Sequence, residues 1–164
     1  MTKCIRTATR ICAVALLGAL ASMSSLQTPT GRLYSPAVAN EVAPVRVAIQ
    51  MSENDPKAMH LALNNAANLS AHYKQQGRKV DIHVVTYGPG LHMLRADTSP
   101  VKQRVATMSL EIEGLTFAAC ANTRANMSKQ EGAEIALLSE ARVVPSGVVT
   151  LAELQQKGFA YIRP

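Results

Sequence analysis

From Val45 onward the apolar positions switch between two periods. In VRVAIQM (45–51), Val45, Val47 and Ile49 fall on alternate positions, the spacing of a strand with one face against a core. Alternation then stops: Asp55-Pro56 offers an N-cap and a first-turn proline, which predicts a helix to Gln76, with Gly77 placed to close it in the left-handed conformation. VDIHVVTYG (80–88) is rich in β-branched residues and predicts a second strand. Ser99-Pro100 opens the next predicted helix, in which Val101, Val105, Met108 and Ile112 recur at spacings of four, three and four before Gly114 ends it. LTFAACA (115–121) predicts a third strand, and Ser128-x-x-Glu131 has the form of a capping box for a helix through about Ser139. The unit repeats with ARVV (141–144) and a second capping box at Thr150-x-x-Glu153, where Val149 and Leu154 would form a hydrophobic staple. Gly158 stops that helix and FAYIR (159–163) makes a final strand.

Strand and helix alternating in this way predict an α/β fold, a mainly parallel sheet of about five strands with helices on both faces. In such sheets ligands and chemistry collect at the carboxyl ends of the strands. That rule selects four loops: Ser52 to Asp55, Tyr87 to Gly90, Cys120 to Thr123 and Pro145 to Gly147. Asn54, Tyr87, Gly88, Gly90, Asn122, Thr123 and Ser146 are the residues it nominates to line a pocket around Cys120.

The beginning of the chain is organised differently. Lys3, Arg6 and Arg10 precede the apolar run ICAVALLGALA (11–21), and small residues follow, the layout of a secretory signal peptide. The run is about half the ~20 residues that a membrane-spanning helix needs, so no stable membrane insertion is expected after cleavage. Residues 1–24 are read as the signal, 25–44 as a linker rich in Ser, Thr, Pro and Ala, and 45–164 as one domain, which places the mature protein in the periplasm or outside the cell. The whole chain carries a formal charge of +6; without the three signal-peptide cations it has 14 Lys and Arg against 11 Asp and Glu. With no basic block and few aromatics left, nucleic acid is not an expected partner.

Cleavage also removes Cys4 and Cys12, leaving Cys120 as the single thiol. It can form no internal disulfide and belongs to no Cys-x-x-Cys or Cys/His metal spacing, so neither a metal nor a cofactor is expected. At the end of a strand and the start of a helical turn, its thiolate would be favoured by free backbone N–H groups and a positive helix pole, below the free value of about 8.5. With the next helix expected at Ser128, the pole would be that of a single turn and its effect small. The bland alternative is a small apolar residue filling the sheet.

Other candidates carry less. Tyr87-Gly88-Pro89-Gly90 lacks both the GxGxxG spacing and a P-loop lysine, so its glycines more simply allow a tight turn and close backbone approach. His60, His72, His83 and His92 show no metal pattern, although His60 and His92 could approach the strand-end loops. Asn64, Asn65 and Asn68 share one side of the first helix, as expected of a solvated or subunit-facing surface. No nucleophile elbow exposes Ser109 or Ser146, and Glu111 and Glu113 face apart, so a hydrolase lacks its parts.

Taken in order, VRVAIQMSENDPKAMHLALNNAANL, VVTYGPGLHMLRA, FAACANT and VVPSGVVTLAELQQKGFAYIRP resemble the DsrE/DsrF-like proteins associated with sulfur relay, over essentially all of 45–164. The resemblance implies a flavodoxin-like fold and assembly into homo- or hetero-oligomers, and a homo-oligomer is the expectation for this chain. In the sulfur-relay members a cysteine just after the third strand carries sulfur as a persulfide and passes it to a partner protein; the matching position is Cys120, with Asn122 and Thr123 expected to orient the sulfur. A single low-pKa thiol with no resolving cysteine suits that chemistry. Two features depart from those members: they are cytoplasmic, and their cysteine is followed by an Ala- and Arg-rich helix start where this chain has Asn122-Thr123. A non-catalytic oligomeric binding module with a structural cysteine is the competing expectation.

Overall fold

Alternation in the first strand does what its spacing predicts: Val47, Ile49 and Met51 are buried on one face of β1 (Val45–Met51), while Ala48 is buried on the other. The computed structural model describes residues 42–164; the signal peptide, its cleavage site and the linker as far as residue 41 lie outside the described residues. Four further strands, β2 (Val80–Thr86), β3 (Leu115–Cys120), β4 (Ala141–Val144) and β5 (Ala160–Ile162), pair in parallel in the order β4-β3-β2-β1-β5. Register places Met51 beside Thr86 and Cys120 beside Val144, which brings the carboxyl ends of neighbouring strands level.

The larger core lies where α1 (Pro56–Gln75) and α2 (Lys102–Glu111) cover the sheet, with Met59, Leu63 and Val105 against Ile49, Ile82, Val84 and Phe117. On the second face α4 (Gly147–Gln156) sets Leu151 and Leu154 against Ala48, Val85, Ala118 and Phe159, and the two strand alanines let the helix approach closely. The remaining helix, α3 (Ala121–Glu131), reaches the first core through Met127. The fold is therefore α/β with a flavodoxin-like arrangement and helices on both faces. Since α3 leaves β3 on one face and α4 leaves β4 on the other, a crevice opens at the carboxyl ends of β3 and β4, where the connections diverge.

Several helix starts differ from the sequence reading. Asp55 caps α1 as expected, its carboxylate accepting the Lys57 N–H at 3.0 Å. The second helix begins at Lys102 instead of Ser99, because Ser99 holds a preceding turn, donating to Met93 O at 2.6 Å and accepting from Val101 N–H at 3.3 Å. Neither capping box exists. Ser128 and Glu131 end α3 instead of starting a helix: Ser128 Oγ accepts the Ile135 N–H at 3.2 Å, and Gly132 turns left-handed at φ 64°. Residues 133–139 contain no helix; they lie along the end of the 3-10 segment Gly88–Leu94, with Leu138 N–H donating to Leu94 O at 2.9 Å. Thr150 sits within α4, its hydroxyl donating to Ser146 O at 2.9 Å, four residues back. Val149 is exposed, so no staple forms. Short polar side chains bond backbone equally well at either end of a helix, and the sequence pattern does not say which.

Candidate functional site

Cys120 is the last residue of β3 and the N-cap of α3, a position that Ser, Thr, Asp or Asn ordinarily fills. Its sulfur takes the place of their oxygen and accepts the Thr123 N–H at 3.4 Å. The helix behind it runs 11 residues, three turns where the sequence suggested one, so the positive pole is that of a full helix. A second helix adds its own amino end. Gly147 is the first residue of α4, and the dipole of its N–H, one of those with no partner inside the helix, helps to hold the thiol below its ordinary value.

The amino ends of two helices therefore act on Sγ, that of α3 through the Thr123 N–H bond and that of α4 through the Gly147 dipole. Burial by itself pushes the thiol up, but the Thr123 hydroxyl and the N–H groups of Gly147, Thr123 and Asn122 outweigh it and hold the thiol below its ordinary value. A neutral thiol is a weak acceptor, and a sulfur that accepts a backbone N–H at a helix amino end suits a thiolate better. Thr123 is itself oriented: its Oγ1 accepts the Gly88 N–H at 3.0 Å, which leaves the hydroxyl proton for sulfur. The Asn122 N–H lies 3.4 Å from Pro145 O, tying the start of α3 to the loop before α4.

Two glycines make the close packing possible. A Cβ on Gly147 would stand 2.8 Å from the Tyr87 Cβ, so the Tyr87 side chain lies directly on the residue that donates to sulfur. A Cβ on Gly90 would meet Met51 O at 2.3 Å, so this residue seats the 3-10 segment on the end of β1 and takes no part around the sulfur. Tyr87, Gly88, Asn122 and Thr123 are thus brought together around Cys120. Ser146 stands next to Gly147 as the N-cap of α4, but its side chain makes no capping bond. Asn54 is exposed beyond β1 and makes no hydrogen bond to the group.

Gly147 is the contributor that the sequence reading passed over in favour of its neighbour Ser146. The signal was there, a small residue after Pro-Ser at a strand end, but its use is a backbone N–H, and side-chain reasoning does not see that. The Cys120 thiol is also more enclosed than expected, at 4% exposure, because as a cap it folds back onto α3 under the loop at 145–147.

The histidines have local partners: His60 with Arg104, His83 with Asp81 and the Phe159 ring, and His92 with Thr98. A cavity of about 510 Å³ lies at the opposite, amino end of the sheet, lined by Lys74, Arg78, Glu111 and Glu113 among others, with no cysteine or histidine. It offers mixed charge and neither thiol nor imidazole.

The DsrE/DsrF-like family model matches residues 46–164. The chain belongs to that family. Its fold is shared with a solved structure from Methanobacterium thermoautotrophicum, the protein of unknown function MTH1491, at 34% sequence identity and a TM-score of 0.62. The similarity covers 73% of this chain and 99% of that one. No curated protein matches the chain.

Proposed function

We propose that this chain is an exported DsrE-like sulfur carrier that holds sulfane sulfur as a persulfide on Cys120. The observation that carries the reading is a sulfur that ends a strand, caps α3 by accepting the Thr123 N–H at 3.4 Å, and is held below the ordinary thiol value by Thr123, Gly147 and Asn122. The thiolate attacks the outer sulfur of a persulfide or polysulfide donor. One sulfur–sulfur bond forms to Cys120, the donor's own sulfur–sulfur bond breaks, and the donor leaves as a thiolate or shortened polysulfide. An acceptor thiolate then attacks the outer sulfur of the Cys120 persulfide and restores the Cys120 thiolate. No net oxidant is needed, and among the described residues no second cysteine stands beside Cys120 to turn the persulfide into a disulfide. The signal-like start at residues 1–24 supports a periplasmic or secreted location, and the exposed apolar residues on β4 and α4 support a homo-oligomer.

Incubation with inorganic polysulfide, followed by intact-mass measurement, tests the reading. It predicts the addition of one sulfur atom that is lost on treatment with a thiol and is missing in Cys120→Ser. An unchanged wild-type mass, or equal labelling of the serine variant, overturns it.

The 4% exposure of Cys120 favours a second reading, a non-catalytic oligomeric binding module in which the cysteine is only a helix cap. That reading predicts slow labelling by a maleimide in the native state and no transfer of sulfur to an added thiol.

A further inference from the structure

The helix that carries the site is held by polar contacts more than by burial. None of the residues of α3 is fully buried, in contrast with α1, which buries Met59, Ala62, Leu63 and Ala66. Its far end is gripped by Arg95, which is 3% exposed. The guanidinium donates to Glu131 at 2.5 and 2.9 Å and to Asp97 at 2.6 and 3.0 Å, bidentate on both carboxylates. A cation buried this deeply is stable only with such partners, so the position of Glu131 is closely fixed.

Arg95 follows directly on the 3-10 segment, whose first residue, Gly88, donates to the Thr123 hydroxyl at the other end of α3. The segment is therefore tied to α3 at both ends. The spans agree: Gly88 to Arg95 covers about 14 Å at a 3-10 rise, and Thr123 to Glu131 about 12 Å at an α-helical rise. The segment is itself seated on β1 through Gly90, so it acts as a fixed strut beside the helix.

We infer that Arg95 is a positioning residue for Cys120: by locking Glu131 to the end of the strut, it sets the register of α3 so that the Thr123 hydroxyl meets both Gly88 N–H and the sulfur. This deepens the sulfur-carrier reading and rests on it. Loss of the lock would let α3 slide or tilt by a fraction of an ångström, enough to lengthen the contacts at the sulfur while leaving the sheet in place.

The test is the pH dependence of Cys120 alkylation by iodoacetamide in the full chain, with the Cys120→Ser signal subtracted to remove Cys4 and Cys12. Arg95→Met removes the cation, and Glu131→Gln weakens the tie while leaving the guanidinium an amide acceptor and its Asp97 partner. Val105→Ala, a core substitution on α2 that leaves the polar tie intact, serves as a control for lost stability. Both tie variants are expected to titrate higher by half a unit to one unit, about three- to tenfold less thiolate below the midpoint, and Val105→Ala to titrate as wild type. A low wild-type midpoint that Glu131→Gln leaves unchanged, or that Val105→Ala raises equally, overturns the positioning role alone. An ordinary wild-type midpoint overturns the carrier reading together with it.

Discussion

Thr123 does two jobs with one hydroxyl, accepting from Gly88 and donating to Cys120, and its removal should be felt at the sulfur before anywhere else. Thr123→Val keeps the shape and loses both bonds. The thiol midpoint is expected to rise, with recovery in Thr123→Ser, as read by thiolate absorbance against pH. An unchanged midpoint in the valine variant would show that the backbone donors suffice. Gly147→Ala is expected to act differently, since its Cβ has nowhere to go beside Tyr87. Overpacking there should lower stability by about 1–3 kcal/mol in urea unfolding and slow Cys120 alkylation as the α4 N–H moves away. Cys120 and Thr123 were legible in the sequence because their chemistry is in their side chains. Gly147 was not, because what it contributes is a main-chain donor and the absence of a Cβ, and Asn54 was nominated by a strand-end rule that selects loops more reliably than residues.

At the scale of elements, α3 shows why short polar residues mislead. Ser128-x-x-Glu131 has the spacing of a helix start, yet both residues work at the helix end, Ser128 on the Ile135 N–H and Glu131 on Arg95. Nothing local could have indicated that an arginine 36 residues away would claim the glutamate. The strands were legible to within a residue or two because their apolar alternation and β-branched content are local, whereas helix starts at β3 and β4 depend on which backbone donors the crevice uses. The same cluster sets an acid limit. Arg95 hydrogen bonds hold the Asp97 carboxyl at about 2 and pull Glu131 below the usual carboxylate range. Both are depressed on folding, so their contribution is complete above the unfolded values near 4 and is lost as pH falls through the folded values. The urea midpoint is expected to stay level from about pH 7 to 5 and to drop between about pH 4 and 2, with a shallower drop in Arg95→Met. Parallel profiles for the two proteins would remove this cluster as the cause.

For the whole molecule, the two faces of the sheet are unequally covered. Three helices take one face, α4 alone takes the other, β4 ends the sheet with Val143 50% exposed, and Val148 and Val149 are exposed on α4. Apolar side chains along an open strand edge favour association, and the expected homo-oligomer should use them. Val143→Lys is expected to lower the sedimentation mass toward a monomer without changing the far-ultraviolet circular dichroism; a wild-type chain that is monomeric at all concentrations would contradict the oligomer. The crevice beside that edge is where the connections to α3 and α4 part, and two helix amino ends meet there on one sulfur. Whether this arrangement makes an anion of Cys120 decides the account. The most direct measurement is the thiolate absorbance of Cys120 against pH in the native full chain, taken as the difference from Cys120→Ser. The account predicts a midpoint clearly below the free-thiol value of about 8.5. A midpoint at or above that value, in a protein that is folded throughout the titration, would contradict it.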